Sequence, residues 1–191
     1  MQNASKDTVI SSDNRWNDNY LRLAKQIASW SKDPSTQCGA VAVGKHGQIL
    51  SQGYNGFARG VKDTNERLYN REQKYKYTIH AEMNCIFNAS LTGVSLDGAD
   101  LYVYGLPVCD NCAKGVVQVG FKRVFMCYPV AVEERREWVK AFKTSREMFV
   151  EAGVLAICFH EETMKQVDST WMDINKHIVG NAIYQAWNGT Q

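Results

Sequence analysis

The chain has no apolar run of membrane-spanning length, no apolar signal core in residues 1–13, and no long tract of Lys and Arg. The first two absences argue against a spanning helix and a secretory leader, so a cytoplasmic protein without membrane partners is expected. The third, with a net charge of +2 and a sequence pI near 8.2, argues against a protein that holds extended nucleic acid by phosphate neutralisation. There is no internal repeat and no low-complexity linker. At 191 residues and 45% apolar composition, the chain is long enough for one domain with a real core and too short for two. Its six cysteines are scattered through apolar segments, the pattern of reduced thiols rather than of a disulfide framework.

What is present reads as an alternation of helices and strands. Trp16, Tyr20, Leu23, Ala24, Ile27 and Trp30 recur at helical spacing after a potential cap at Asp13, and Asp33-Pro34 stops the segment. Residues 38–43 and 48–54 read as a hairpin turning at Gly44-Lys45-His46-Gly47, with His46 exposed. Residues 55–78 are polar, with Arg59, Lys62, Arg67, Arg71, Lys74 and Lys76 among Phe57, Tyr69, Tyr75 and Tyr77. They read as a long loop, either a solvated face or subunit contact, or a substrate-covering lid with phosphate-binding groups. A helix over 80–89, a strand over 101–104, a helix over 109–119 and a strand over 123–127 imply parallel pairing. A charged amphipathic helix over 133–152, capped by Gly153, and a fifth strand over 154–159 follow. His160 reads as a strand-end polar residue. Residues 172–187 again show helical spacing, with His177 on the polar side. The expected organisation is an arm over 1–12, a domain over 13–162 and a helical extension over 163–191.

Packing accounts least well for His80-Ala81-Glu82 and for Cys109 and Cys112 in Leu-Pro-Val-Cys-Asp-Asn-Cys. One imidazole nitrogen and two thiolates give Zn²⁺ three of four tetrahedral positions, and a catalytic site leaves the fourth to water or substrate. Cysteines three apart at a helix start can aim both sulfurs at one point, where the positive helix end favours thiolate. His80 opens a second helix, so two helix N-termini converge on one Zn²⁺ ion. Glu82, two residues from His80, can then work on a water of pKa about 7 without binding the metal. A Cys-x-x-Cys pair alone can also be a structural zinc half-site or a redox pair. No second Cys-x-x-Cys or His-x-x-x-His is present, although Cys38, Cys85, Cys127 or Cys158 could approach as a fourth ligand.

Together these motifs resemble those of the cytidine deaminase superfamily, and more specifically of deoxycytidylate (dCMP) deaminases. The resembling segments are Trp30-Ser31-Lys32-Asp33-Pro34-Ser35-Thr36-Gln37, Gly53-Tyr54-Asn55-Gly56-Phe57, Lys74-Tyr75, His80-Ala81-Glu82-Met83-Asn84, Leu101-Tyr102-Val103, Cys112-Ala113-Lys114 and Glu151-Ala152-Gly153-Val154. The resemblance implies a three-layer α/β/α fold, with a five-stranded mixed sheet and helices on both faces. It implies one catalytic Zn²⁺ on His80, Cys109 and Cys112, with Glu82 as proton shuttle, Asn55 bonding the sugar, and the Ala81 backbone reading the pyrimidine edge. The implied reaction is hydrolytic deamination of a small cytosine nucleotide. Rivals are the same chemistry on a modified cytosine, guanine or tRNA adenosine, and a non-catalytic zinc-stabilised nucleotide-binding module. A homo-oligomer, often a hexamer, and dCTP or dTTP as effectors are also implied.

Two departures from the family pattern stand out. Val108 separates Pro107 from Cys109, lengthening by one residue the loop that shapes the base pocket. Leu91 occupies a position where some phage members carry a phosphate-binding arginine. A phosphate contact must therefore come from elsewhere, with Lys32, Arg59 and Lys76 as candidates on charge alone. Trp138, Trp171 and Trp187 suit subunit contacts if exposed, and buried core positions explain them equally well.

Overall fold

In a computed structural model, residues 14–128 and 136–160 are described. Several expectations lie outside them: the Asp13 cap, the 1–12 arm, the 163–191 extension with Trp171, His177 and Trp187, and the side chains of Trp138 and His160. The first helix, α1 (Asn14–Ala28), precedes a hairpin of β1 (Gly39–Val43) and β2 (Ile49–Tyr54). The segment expected to be a loop instead carries β3 (Gly56–Phe57), α2 (Asn65–Tyr69), α3 (Arg71–Tyr77) and β4 (Thr78–Ile79). The reason is local capping: the Thr64 side chain accepts from the Arg67 N–H and that of Asn70 from the Gln73 N–H, so two very short helices start in succession. Then come α4 (Ala81–Thr92), β5 (Asp100–Tyr104), α5 (Asp110–Gln118), β6 (Arg123–Tyr128), α6 (Arg136–Glu151) and β7 (Leu155–His160).

Five strands form one mixed sheet in the order β2-β1-β5-β6-β7. The β1 strand pairs antiparallel with β2 and β5, and β6 pairs parallel with β5 and β7. The inner strands β1, β5 and β6 bury both faces, as a sheet between helix layers requires, while the edge strand β2 alternates between buried and exposed residues. On one face, Val41, Val43, Tyr102, Phe125, Cys127 and Phe159 pack against Leu21, Ala24 and Ile27 of α1. On the other, Ala40, Ala42, Leu101, Val103, Val124 and Met126 pack against residues of α4, α5 and α6 such as Cys85, Val116 and Phe149. This is the expected α/β/α layering. Trp16 and Trp30 correct the expected apolar face of α1: they are 53% and 50% exposed. The helix stops at Ala28, and Trp30 sits edge-on to Tyr54 with ring centroids 6.3 Å apart. Among the described residues, no helix is long and apolar enough to cross a membrane.

Candidate metal centre

Parallel β5 and β6 and the packing of α4 on β1 and β2 bring two helix starts to one place. His80 is the N-cap of α4 and Cys109 the N-cap of α5, and neither side chain caps its own helix. Both are thereby left to face outward from the N-termini. Cys112 follows one turn into α5. The donor atoms of His80, Cys109 and Cys112 lie within 4.8 Å of one another, and no other His, Cys, Asp or Glu joins the group among the described residues. Cys38, Cys85, Cys127 and Cys158 are therefore not fourth ligands, and none of the six cysteines is in a disulfide.

The donors can be tested against the ion. Tetrahedral bonds of about 2.3 Å to sulfur and 2.1 Å to nitrogen place N and S about 3.6 Å apart. His80 Nδ1 lies 3.4 Å from the Cys109 Sγ and 3.4 Å from the Cys112 Sγ. The soft thiolate and imidazole set suits zinc, and three ligands leave one position open.

The same donors compete for protons through their close contacts with one another. Cys112 donates to Cys109 and so holds the Cys109 thiol well below its usual range, while Cys112 itself is pushed up. The Cys109 hydrogen bond raises His80 to about 9, against the opposing effect of burial. Glu82 is 5% exposed, and its burial pushes the carboxyl up to about 7, with the Cys109 charge adding to that and the His80 charge opposing it. An acid poised near neutrality can both take and give a proton.

A cavity of about 730 Å³ opens onto this cluster, lined by His80, Ala81, Glu82, Cys38, Asn55, Leu106 and Pro107 together with Arg71, Lys74 and Tyr75 of α3. The segment expected to be a face or a lid is thus a cavity wall. Asn55 is buried; its Oδ1 accepts from the Cys38 N–H at 2.8 Å and its Nδ2 donates to the Thr36 carbonyl at 2.9 Å. One Nδ2 hydrogen is left for a ligand. Lys32, Arg59 and Lys76 are not among the lining residues. Lys32 is exposed and pairs with Asp63 at 2.7 Å, and Arg59 bonds the Asn88 Oδ1 at 3.1 Å. The basic residues of the lining are Arg71 and Lys74. The Lys74-Tyr75 segment hinted at one of them; nothing in the spacing singled out Arg71.

Val108 does not enter the cavity. It is fully buried in the core, and its carbonyl accepts from the Ser145 hydroxyl of α6 at 2.7 Å. The extra residue is absorbed beneath α6, while Leu106 and Pro107 face the cavity. Leu91 is 69% exposed on α4.

Such a fold, with a His/Cys/Cys cluster at two helix starts and a carboxyl that stands beside the metal rather than on it, defines the zinc-dependent nucleobase deaminases as a class. Residues 14–128 match the cytidine and deoxycytidylate deaminase zinc-binding region. The chain belongs to that family, and zinc is its cofactor. It is 39% identical over 140 residues to an uncharacterized deaminase of Aliivibrio fischeri, covering 73% of this chain and 90% of that protein. Human deoxycytidylate deaminase is 37% identical over 114 residues, 57% of this chain and 62% of the human one, so the match spans less than two thirds of that enzyme. In fold, the chain is similar to the dCMP deaminase of cyanophage S-TIM5, with a TM-score of 0.59 at 21% identity over 76% of this chain and 98% of that one.

Proposed function

We propose that the chain is a zinc-dependent hydrolase that converts dCMP to dUMP and ammonia. The observation that carries this reading is the buried Glu82, which with His80 lines a nucleotide-sized cavity where His80 meets Cys109 and Cys112. The deoxycytidylate deaminases among its relatives support dCMP as the substrate.

In this reading His80, Cys109 and Cys112 hold the ion, which when bound supplies the Lewis acidity that makes water a nucleophile near neutral pH. The new bond is C4–O and the broken bond is C4–N. Glu82 accepts one proton from the attacking water and hands it to N3, then takes the second from the new C4 hydroxyl and hands it to the departing amine, which leaves the C4 carbonyl of a uracil ring, ammonia and Glu82 as it began. The backbone of Ala81 meets the pyrimidine edge, and the spare Nδ2 hydrogen of Asn55 meets the sugar. Arg71, rather than Lys32, Arg59 and Lys76, supplies the positive charge for the 5′-phosphate, since the other basic residue of the lining, Lys74, is engaged with Asp33 and Ser35.

The domain spans residues 13–162 of a cytoplasmic homo-oligomer, in which dCTP and dTTP act as effectors. Light scattering, and turnover with each nucleotide added, test the assembly and the regulation. The activity is tested by ammonia release from dCMP, CMP, deoxycytidine, a modified cytosine, guanine and a tRNA, using zinc-loaded wild type and Glu82→Gln. The expected outcome is fastest turnover of dCMP, lost in Glu82→Gln with zinc retained. Preference for another base would replace the substrate. A zinc-loaded protein inert toward the whole panel would leave a binding module.

A further inference from the structure

Asp33 ends the segment after α1, and its Oδ1 accepts from the backbone N–H of Ser35 at 2.8 Å and of Thr36 at 3.0 Å. Forty-one residues further on, Lys74 of α3 donates to the same oxygen at 2.9 Å, with both side chains only 9% exposed, and it also donates to the Ser35 hydroxyl. The carbonyl of Thr36, inside the turn that Asp33 closes, accepts from Asn55 Nδ2 at 2.9 Å. Asn55 is held on two further sides, through its Oδ1 by the Cys38 N–H and through its backbone carbonyl by the Ser31 hydroxyl at 2.7 Å. A continuous hydrogen-bonded path therefore runs from Lys74 through Asp33 and Thr36 to the Asn55 amide, and Asp33, Thr36, Asn55 and Lys74 all line the cavity.

A buried ion pair adds little net stability over a well-packed apolar pair, and its better-supported use is to fix one arrangement among several. Here the arrangement it fixes is the 33–36 turn against α3.

We infer that Lys74 is a positioning residue. Through Asp33 it sets the turn that presents the Asn55 amide to the cavity, and it pins α3 as the cavity wall. The inference rests on the reading of Asn55 as a substrate group. It accounts for the co-occurrence of the Lys-Asp-Pro-Ser segment and the distant Lys74-Tyr75: each supplies one half of a single latch.

The test uses Asp33→Asn/Lys74→Met, which removes both charges and leaves no lone buried ion, and Lys74→Gln, which keeps a neutral donor. The first readout is amide hydrogen exchange at Cys38, whose N–H donates to Asn55 Oδ1, with Met126 in the central strand β6 as control. The second is KM and kcat for dCMP and for deoxycytidine. Exchange at Cys38 is expected to speed up about tenfold or more in the double variant and less in Lys74→Gln, with Met126 unchanged. KM is expected to rise about tenfold for both substrates, with kcat within about threefold of wild type. Unchanged exchange at Cys38 in whichever variant folds overturns the inference. A KM increase confined to dCMP also overturns it, because Lys74 would then act on the phosphate directly. If wild type turns over neither substrate, the dCMP reading fails, and the exchange measurement still decides the latch.

Discussion

Replacing Gly53 by alanine probes how closely the catalytic helix must seat on the sheet. Gly53 lies in β2 beneath the first turns of α4, the helix that begins with His80, Ala81 and Glu82. A Cβ at this position would stand 2.6 Å from the Ala81 carbonyl oxygen and 2.7 Å from the Asn84 carbonyl carbon, and closer still to the Cys85 amide nitrogen. Ordinary contact begins at 3.4 Å, and all three neighbours are backbone, so no side chain can swing aside. Relieving the tightest of these contacts requires the helix to retreat by about 1 Å. Overpacking of this kind costs about 1–3 kcal/mol, while loss of glycine's freedom in the unfolded chain returns about 0.4–1 kcal/mol. The net expectation is a destabilisation of about 1–2 kcal/mol. The retreat also carries Glu82 and His80 away from Cys109 and Cys112, and a misplacement of about 1 Å can cost on the order of a hundredfold in rate. Urea unfolding gives the first number, and chelator competition and kcat/KM give the second. Gly56→Ala is the control, since its Cβ would meet only Tyr54 ring carbons at 3.7 Å or more. An unchanged urea midpoint together with unchanged zinc affinity in Gly53→Ala would refute the close-approach reasoning.

Three further outcomes follow from the same geometry. Asp33 titrates below its usual value, because although burial pushes it up, the Lys74 hydrogen bond and the Ser35 and Thr36 amides outweigh that effect. Its stabilising contribution is then complete above the unfolded value near 3.9 and disappears as pH falls through the lower folded value. The stability gap between wild type and Asp33→Asn should therefore be constant from pH 5 to 7 and shrink in acid, and a gap that widens in acid would contradict it. Ser145→Ala leaves the buried Val108 carbonyl without its hydroxyl donor at 2.7 Å. It should cost about 1–3 kcal/mol and weaken zinc binding through the adjacent Cys109, and calorimetry and chelator competition would expose an error in either. Zinc removal should lower the melting temperature, and zinc affinity should fall as pH drops. The reason is that His80, held protonated up to about 9 mainly by its Cys109 hydrogen bond, must release that proton to bind metal. A pH-independent affinity would show that His80 does not ligate.

Much of the fold was legible because its signals are local. The five main strands and the helices α4, α5 and α6 fall within a few residues of the expected positions, since apolar period and turn residues act over short spans. The donors at residues 80, 109 and 112 were readable for the same reason: chemistry marks them by type, and helix starts mark their place. The helices α2 and α3 are too short to show a period, and their cap signals at Thr64 and Asn70 were hidden in a polar stretch. Charge alone could not separate Lys32, Arg59 and Lys76, which lie outside the cavity lining, from Arg71 and Lys74, which are part of it.

The sequence by itself determined the alternation of helices and strands and the set of His80, Glu82, Cys109 and Cys112, which depend on residue type and near-neighbour spacing, while the layered fold was legible through the family resemblance these motifs carry. Only the tertiary structure decided which distant residues share the cavity. Pairing Asp33 with Lys74, and turning Val108 into the core beneath Ser145, depend on how strands and helices close on one another, and that long-range geometry is not written in any short stretch of chain.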